Sequence, residues 1–292
     1  MLRITHISFP GLGIEEFSVN SVAFTVFGHP VAWYGIIITC GIILATLYVL
    51  YRAKQEGISG DDILDLGIYT VLFSVLGARI FFVLTSLDKF DSFGEIFMIW
   101  EGGLAIYGAI IAGAITVFVY CRLKKRSYFR FLDMIGPAVM LGQIVGRWGN
   151  FMNGEAHGGE TDIFCRMGLR FSEYGSTVYY HPTFLYESLW NLIGFILINV
   201  FYKKKQYDGQ VVLWYLTWYG FGRMFIEQLR TDSLYLLGSA YPYWFLKISS
   251  LIGLGCFLLF GGILVYCAVK KFRRPTAFSA VAESTDIPTE EN

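Results

Sequence analysis

Three arginines stand inside apolar stretches of this chain: Arg79, Arg147 and Arg223. A charged side chain at membrane depth costs on the order of 3 kcal/mol or more, and it faces a polar cavity or a partner. Each guanidinium offers donors in a planar fork that matches phosphate or carboxylate oxygens two at a time. Around Arg223, the residues Tyr219, Glu227 and Arg230 recur at intervals of four, four and three, which stacks them on one helical face. Gln143, Arg147, Asn150 and Gly154 repeat that pattern, and Gly142, Gly146 and Gly149 leave room for close helix approach. Two polar stripes of this kind are expected to face one site. The anion available at that depth is the phosphate of a phospholipid headgroup. Taken alone, the pattern fits an enzyme acting on lipid as well as a carrier of lipid or anions.

A blander reading stands beside it. Arg223 with Glu227 makes an ordinary ion pair within a helix, Arg79 pairs with an acidic neighbour for packing, and the glycines serve span contacts only. Three arginines at matched depth, with carboxylates and tyrosines around them, weigh against it, because desolvating so many polar groups without a ligand is expensive.

The elements that must position these residues are membrane spans. Of 292 residues, 55% are hydrophobic and only 16% charged, against roughly 25% charged in soluble domains. A span needs about 20 mostly apolar residues. Residues 31 to 51 and 248 to 269 meet this without a charge, and 63 to 86, 104 to 121, 131 to 153, 182 to 202 and 210 to 230 meet it with one or a few polar interruptions. The expected fold is therefore all-α, a polytopic transmembrane helical bundle of about seven spans. Each of the three arginines lies roughly 20 to 24 Å from the start of its span at about 1.5 Å per residue. Tyr34, Tyr107 and Glu187 lie within about two turns of the opposite starts of theirs, so all six belong to one level, near one face of the membrane.

Net charge is zero, so no nucleic-acid partner is implied, but the charge is unevenly placed. Arg52 and Lys54, the run Arg122 to Arg130, Lys203 to Lys205, and Lys270 to Arg274 occupy every alternate junction. Basic short loops stay cytoplasmic, which puts the amino terminus outside, the carboxyl terminus inside, and the arginine level toward the outer leaflet. Residues 1 to 274 then form a single transmembrane domain. Its outer loop, about 154 to 181, makes a small extracytoplasmic head, and the polar stretch 275 to 292 reads as a disordered cytoplasmic tail. The first ten residues hold no apolar run long enough for a signal peptide, so the first span is expected to persist. Of five cysteines only Cys165 falls outside the spans, and no intramolecular disulfide is expected. His157 and His181 lie at the outer border without a further ligand at metal spacing, and no metal site is expected.

The segment GRWGNFMNGE, Gly146 to Glu155, resembles the signature of the bacterial prolipoprotein diacylglyceryl transferases. AWYG at 32 to 35, GAR at 77 to 79, WEGGLAIYG at 100 to 108, DMIGP at 133 to 137, HPTFLYE at 181 to 187 and YGFGRMFIEQLR at 219 to 230 resemble the family's other motifs, in its order. Only the first twenty or so residues and the tail lie outside the similarity. The resemblance implies a multi-pass protein of the bacterial cytoplasmic (inner) membrane. Such a protein moves the sn-1,2-diacylglyceryl group of phosphatidylglycerol to the thiol of the lipobox cysteine in a prolipoprotein signal peptide. A thioether forms and glycerol phosphate is released, with no cofactor, as the first step of lipoprotein maturation.

By the resemblance, Arg147 and Arg223 fall on the family's essential arginines and Tyr107 on a further catalytic position. Asn150, Asn153 and Glu155 complete the signature, and Tyr34, Arg79, Tyr219 and Glu227 fall on substrate-binding positions. Attack of a thiolate on the glycerol C3 carbon needs the leaving phosphate held and the thiol, with a pKa of about 8.5, deprotonated. At position 107 some members carry a histidine proposed to activate the thiol, whereas this chain has a tyrosine followed by Gly108 and Ala109. With a pKa near 10 a tyrosine is a poor base at neutral pH unless neighbouring arginines depress it. Four readings stay open: Tyr107 as a polarised hydrogen-bond partner, the cationic cavity lowering the thiol pKa, Glu155 taking the proton, or Tyr107 only packing. A carrier would show inverted repeats and a midplane site. This chain shows no evident repeat and places its charges toward one face, which favours the enzyme.

Overall fold

The structure, a computed structural model, describes residues 4–87, 90, 92–99, 102–172, 174–236 and 247–278. Among the described residues there are seven long helices: α1 (Trp33–Gln55), α2 (Gly60–Thr85), α3 (Ile106–Leu123), α4 (Tyr128–Asn153), α5 (Thr183–Phe201), α6 (Gln210–Leu229) and α7 (Ile248–Val269). Each matches an expected span to within a few residues. Six are long and apolar enough to cross a membrane, while α6 is not among them. Its turns carry Gln210, Arg223, Glu227 and Gln228 among the apolar residues, which dilutes the hydropathy that the other helices show.

Strands appear where none were expected. β1 (Ile4–Phe9), β2 (Ile14–Asn20), β5 (Met167–Arg170) and β6 (Val178–Tyr180) form an antiparallel sheet in the order β2-β1-β5-β6, and β3 (Val22–Val26) pairs with β4 (His29–Ala32) in a hairpin. In β1 the side chains alternate, with Thr5, Ile7 and Phe9 buried, the period of a half-buried strand. Ile7, Phe9, Val19, Met167, Leu169 and Phe184 make the sheet's core. The sheet thus joins the amino-terminal strands to strands of the 154–181 segment. Across the sheet Arg170 donates to both oxygens of Glu16, and His6 lies 3.7 Å from the same carboxylate.

The chain divides into two compact units, residues 1–47 with 135–292, and residues 48–134. In the second, α2 and α3 cross where glycine meets glycine. A Cβ on Gly108 would stand 2.3 Å from the Gly77 carbonyl oxygen, and one on Gly77 would stand 2.7 Å from that of Gly108. The basic turn between α3 and α4 has partners in the same unit: Arg126 bridges Asp62 at 2.6 Å, and Arg130 bridges the fully buried side chain of Glu56 at 2.7 Å. In the first unit α6 and α7 approach as closely at Gly220 and Gly253. Of the carboxyl-terminal segment, Thr276 is buried and the Phe278 ring stands edge-on to Tyr202 at 6.0 Å. The stretch from 279, expected as a tail, lies outside the described residues.

Two outcomes follow from these contacts. Gly108→Leu forces α2 and α3 apart against backbone, so thermal unfolding in detergent should show a loss of about 1–3 kcal/mol. Gly67→Ala, on the same helix pair with nothing within 4 Å, should be neutral or mildly stabilising. The second outcome concerns pH. The hydrogen bond and charge of Arg170 hold the Glu16 carboxyl below its ordinary range, so its contribution is present at neutral pH and is lost as pH falls through that lowered pKa. Glu16→Gln should weaken amide-exchange protection of β1 and β5 at pH 7, and the difference from wild type should close on acidification.

Candidate functional site

Glu187, one turn into α5, is the point on which the polar residues converge. Its side chain is 4% exposed and forms ion pairs with three guanidiniums: Arg147 of α4 at 2.5 Å, Arg223 of α6 at 3.1 Å, and Arg230, just past α6, at 3.3 Å. Arg223 also reaches Glu227, one turn on, at 2.7 Å, and Arg230 makes two bonds to Asp232. Three cations and three carboxylates are thus interleaved. Burial pushes the Asp232 carboxyl up, but Arg230 outweighs it and holds that carboxyl below its ordinary value. The α6 stripe expected from spacing is a real face, and a buried acid on the adjacent helix binds it to α4.

The signature segment closes α4. Arg147 donates to the Asn150 side-chain oxygen at 3.2 Å, and the amides of Asn150 and Asn153 both donate to Glu155 Oε1 at 3.1 Å. The turn that permits this runs through Gly154 at φ +60°, where a Cβ would stand 2.9 Å from the Thr5 methyl of β1. A residue larger than glycine would both strain this turn and collide with the sheet. Arg147 is the most exposed of the three guanidiniums, at 21% against 14% for Arg223 and 11% for Arg230. It is the one best able to take further oxygen ligands while keeping its protein contacts.

Two tyrosines flank this assembly. Tyr34 at the start of α1 packs over Gly149 and Ile38 over Gly146, one turn apart on each helix, so the α4 glycines receive α1 as their spacing suggested. Tyr219 stacks on Tyr215 at 5.9 Å and lines a void of about 10 Å³ with Glu187, Asn191 and Arg223, room for about one water. His157 stacks on Tyr180, and His181 points Nδ1 to the Tyr186 hydroxyl at 3.4 Å.

Arg79 and Tyr107 belong to the other unit. There Arg79 is 8% exposed and donates to the carbonyls of Glu95, Ile96, Met98, Gly102 and Gly103 at 2.6–3.4 Å. Its donors close a loop instead of waiting for a phosphate, and Gly103, at φ +73°, lies so close that a Cβ there would be 2.6 Å from Nη1. Tyr107, in the first turn of α3, packs against Phe81 at 6.4 Å.

Two residues of the assembly carried no assigned role in the sequence. Glu187 was legible only as a lone acid at the right depth. Lys247, before α7, is 4% exposed and donates to the carbonyls of Glu227, Gln228 and Arg230 at 2.7–3.1 Å. It adds a donor to carbonyls at the end of α6, where a helix runs out of intrahelical partners. Burial lowers its pKa, against the field of Glu227 and Asp232.

The family model described as prolipoprotein diacylglyceryl transferase matches residues 21–266. A protein of Listeria innocua named phosphatidylglycerol–prolipoprotein diacylglyceryl transferase is 39% identical over 267 residues, covering 89% of this chain and 93% of its own. One of the same name from Clostridioides difficile is 40% identical over 254 residues, covering 87% and 96%. Another, from Clostridium perfringens and numbered 1, is 43% identical over 225 residues, covering 75% and 86%. The chain, a transferase with several membrane-competent helices, belongs to the prolipoprotein diacylglyceryl transferase family.

Proposed function

We propose that this chain transfers the diacylglyceryl group of phosphatidylglycerol to the lipobox cysteine thiol of prolipoproteins, at the outer leaflet of a bacterial cytoplasmic membrane. The observation that carries the reading is the convergence of Arg147, Arg223 and Arg230 on one buried carboxylate beside the signature segment. Guanidiniums held in fixed positions by Glu187 and Asn150 meet a phosphodiester without reorganising. Of these, Arg147 is the one placed to receive it and Arg223 to back it.

In the transfer, the cysteine sulfur bonds to C3 of the diacylglycerol moiety as the C3–O bond to phosphate breaks. The electron pair leaves with glycerol phosphate, and the thiol proton goes to a base or to the departing phosphate. The arginines offset the charge that grows on the leaving oxygen, and Asn150, Asn153 and Glu155 hold Arg147 in register. Glu155 is exposed at the close of α4 and is one candidate for the base. Tyr34, Tyr219 and Glu227 contact or orient the substrates. Tyr107 is assigned to the thiol side of the reaction. Arg79, with its donors already on carbonyls, shapes the loop before α3, and any contact it makes with lipid passes through that loop. The basic turns after α1, α3, α5 and α7 support an amino terminus outside and a carboxyl terminus in the cytoplasm.

Incubating the purified protein with phosphatidylglycerol and a synthetic lipobox peptide should add a diacylglyceryl mass to the cysteine alone, read by mass spectrometry. Arg147→Ala and Arg223→Ala should each lower the rate about a hundredfold or more with membrane insertion intact; full activity in either removes that residue from the mechanism. No addition by folded wild-type protein, with lipid or anion movement across vesicles instead, would make it a carrier. Tyr107→Phe should reduce turnover, since it keeps the ring against Phe81 and loses only the hydroxyl. Wild-type turnover would leave Tyr107 a packing role.

A further inference from the structure

A cavity of about 480 Å³ runs between α5, α6 and α7, with no arginine in its lining. Its lining, from Trp190 past Trp218, Leu197, Trp214 and Phe257 to Phe201, is almost wholly apolar. Trp190 also lines the small void that holds Glu187 and Arg223, so the apolar cavity starts where the charged cluster stops.

The wall at that junction is a pair of stacked indoles, Trp190 and Trp218, 4.2 Å apart and 14° from parallel. Each indole N–H donates to the other's backbone carbonyl, at 3.1 and 2.9 Å. The pair therefore turns its donors inward and leaves the cavity without a polar group at this point. Each ring is seated on a glycine of the opposite helix. A Cβ at Gly222 would lie 2.1 Å from Trp190 Nε1, and one at Gly194 would lie 2.3 Å from Trp218 Nε1. Tryptophan in membrane proteins collects at the water interface, where its N–H finds partners. This pair lies in mid-helix on both α5 and α6, held by bonds that leave it little freedom to tilt.

Along α5 the cavity extends from Trp190 to Phe201, about 16 Å at 1.5 Å per residue. One leaflet's chains span about half of a hydrocarbon core of roughly 30 Å. The cavity thus has the length of one acyl chain, and Trp190 at one end of it also lines the void beside Glu187 and Arg223, on the side of the guanidiniums that would hold the same lipid's phosphate.

We infer that this cavity is the seat of one acyl chain of the bound glycerophospholipid, with the paired indoles as a fixed wall and the Phe201 end as the limit of chain length. The inference rests on the proposed lipid-phosphate site. It makes Leu197, midway along the cavity, a determinant of which lipids are used: a chain long enough to pass it gains contact with every further methylene.

The test compares synthetic phosphatidylglycerols with paired eight-, twelve- and sixteen-carbon chains in micelles, with lipobox peptide, on wild-type protein, Leu197→Trp and Ile196→Trp. Ile196 is exposed on α5 away from the cavity. In wild type kcat/KM should rise with chain length, mainly through KM. Leu197→Trp should cut the ratio of sixteen- to eight-carbon efficiency roughly tenfold, the worth of about two buried methylenes, while Ile196→Trp leaves that ratio unchanged. The same ratio in Leu197→Trp as in wild type would overturn the assignment and make the cavity a seat for unrelated bilayer lipid; so would an equal loss at every length. Equilibrium binding of the same lipids without peptide, by native mass spectrometry, separates the two proposals. Length-dependent binding without transfer would sink the activity and keep the seat. Transfer without length dependence would do the reverse.

Discussion

A carboxylate cannot be left alone in an apolar interior, and Glu187 is solvent-poor at 4% exposure. Its removal from water is offset only because guanidiniums from α4 and from the end of α6 close on it. That requirement ties three helices together at one level. The Ser188 hydroxyl, bonded to the Ile144 carbonyl at 3.1 Å, holds α5 to α4 beside it, and the glycines of α4 admit Tyr34 and Ile38 of α1 on another side. Arg223 and Arg230 each have a further acid, Glu227 and Asp232, whereas Arg147 has Glu187 and the Asn150 oxygen and is the most exposed of the three, so it keeps donors over for an anion.

A second use of positive charge runs through the molecule. Non-helical backbone at membrane depth must find hydrogen-bond partners within the protein, and two cations serve that end. Arg79 collects five carbonyls of the segment before α3, and Lys247 collects three at the close of α6. Both hold irregular chain next to elements that carry named site residues, Tyr107 in one case and Glu227 in the other. Neither is a plain topological charge, and neither pairs with an acid in these bonds.

The helices were legible because apolar runs of span length are a statement about solvent that each segment makes by itself. The α6 stripe and the α4 glycines were legible for a similar reason, since a period near 3.6 fixes which residues share a face. The strands were not. β1 is six residues long, and its partner β5 lies more than 150 residues away, so no local pattern announces the pairing. For Arg79, depth and the GAR match point to a ligand, while the five carbonyls it holds leave no trace in side-chain type. Glu187 suffered the opposite difficulty. A single acid in an apolar run looks like an interruption until the residues brought against it are known.

The sheet order β2-β1-β5-β6 carries a consequence for biosynthesis. β1 is an interior strand, yet its second neighbour is made only after four helices have followed it. At about 5–20 residues per second, synthesis leaves an interval on the order of ten seconds or more between β1 and β5. Throughout that time one edge of β1 has unpaired amides and carbonyls, a template for any extended chain nearby. Closure of the sheet is therefore a late event, and it brings Thr5 against the Gly154 turn at the end of α4. Until the amino-terminal strands dock, the turn that presents Glu155 lacks one of its walls, so competence of the signature segment is tied to completion of the chain around it.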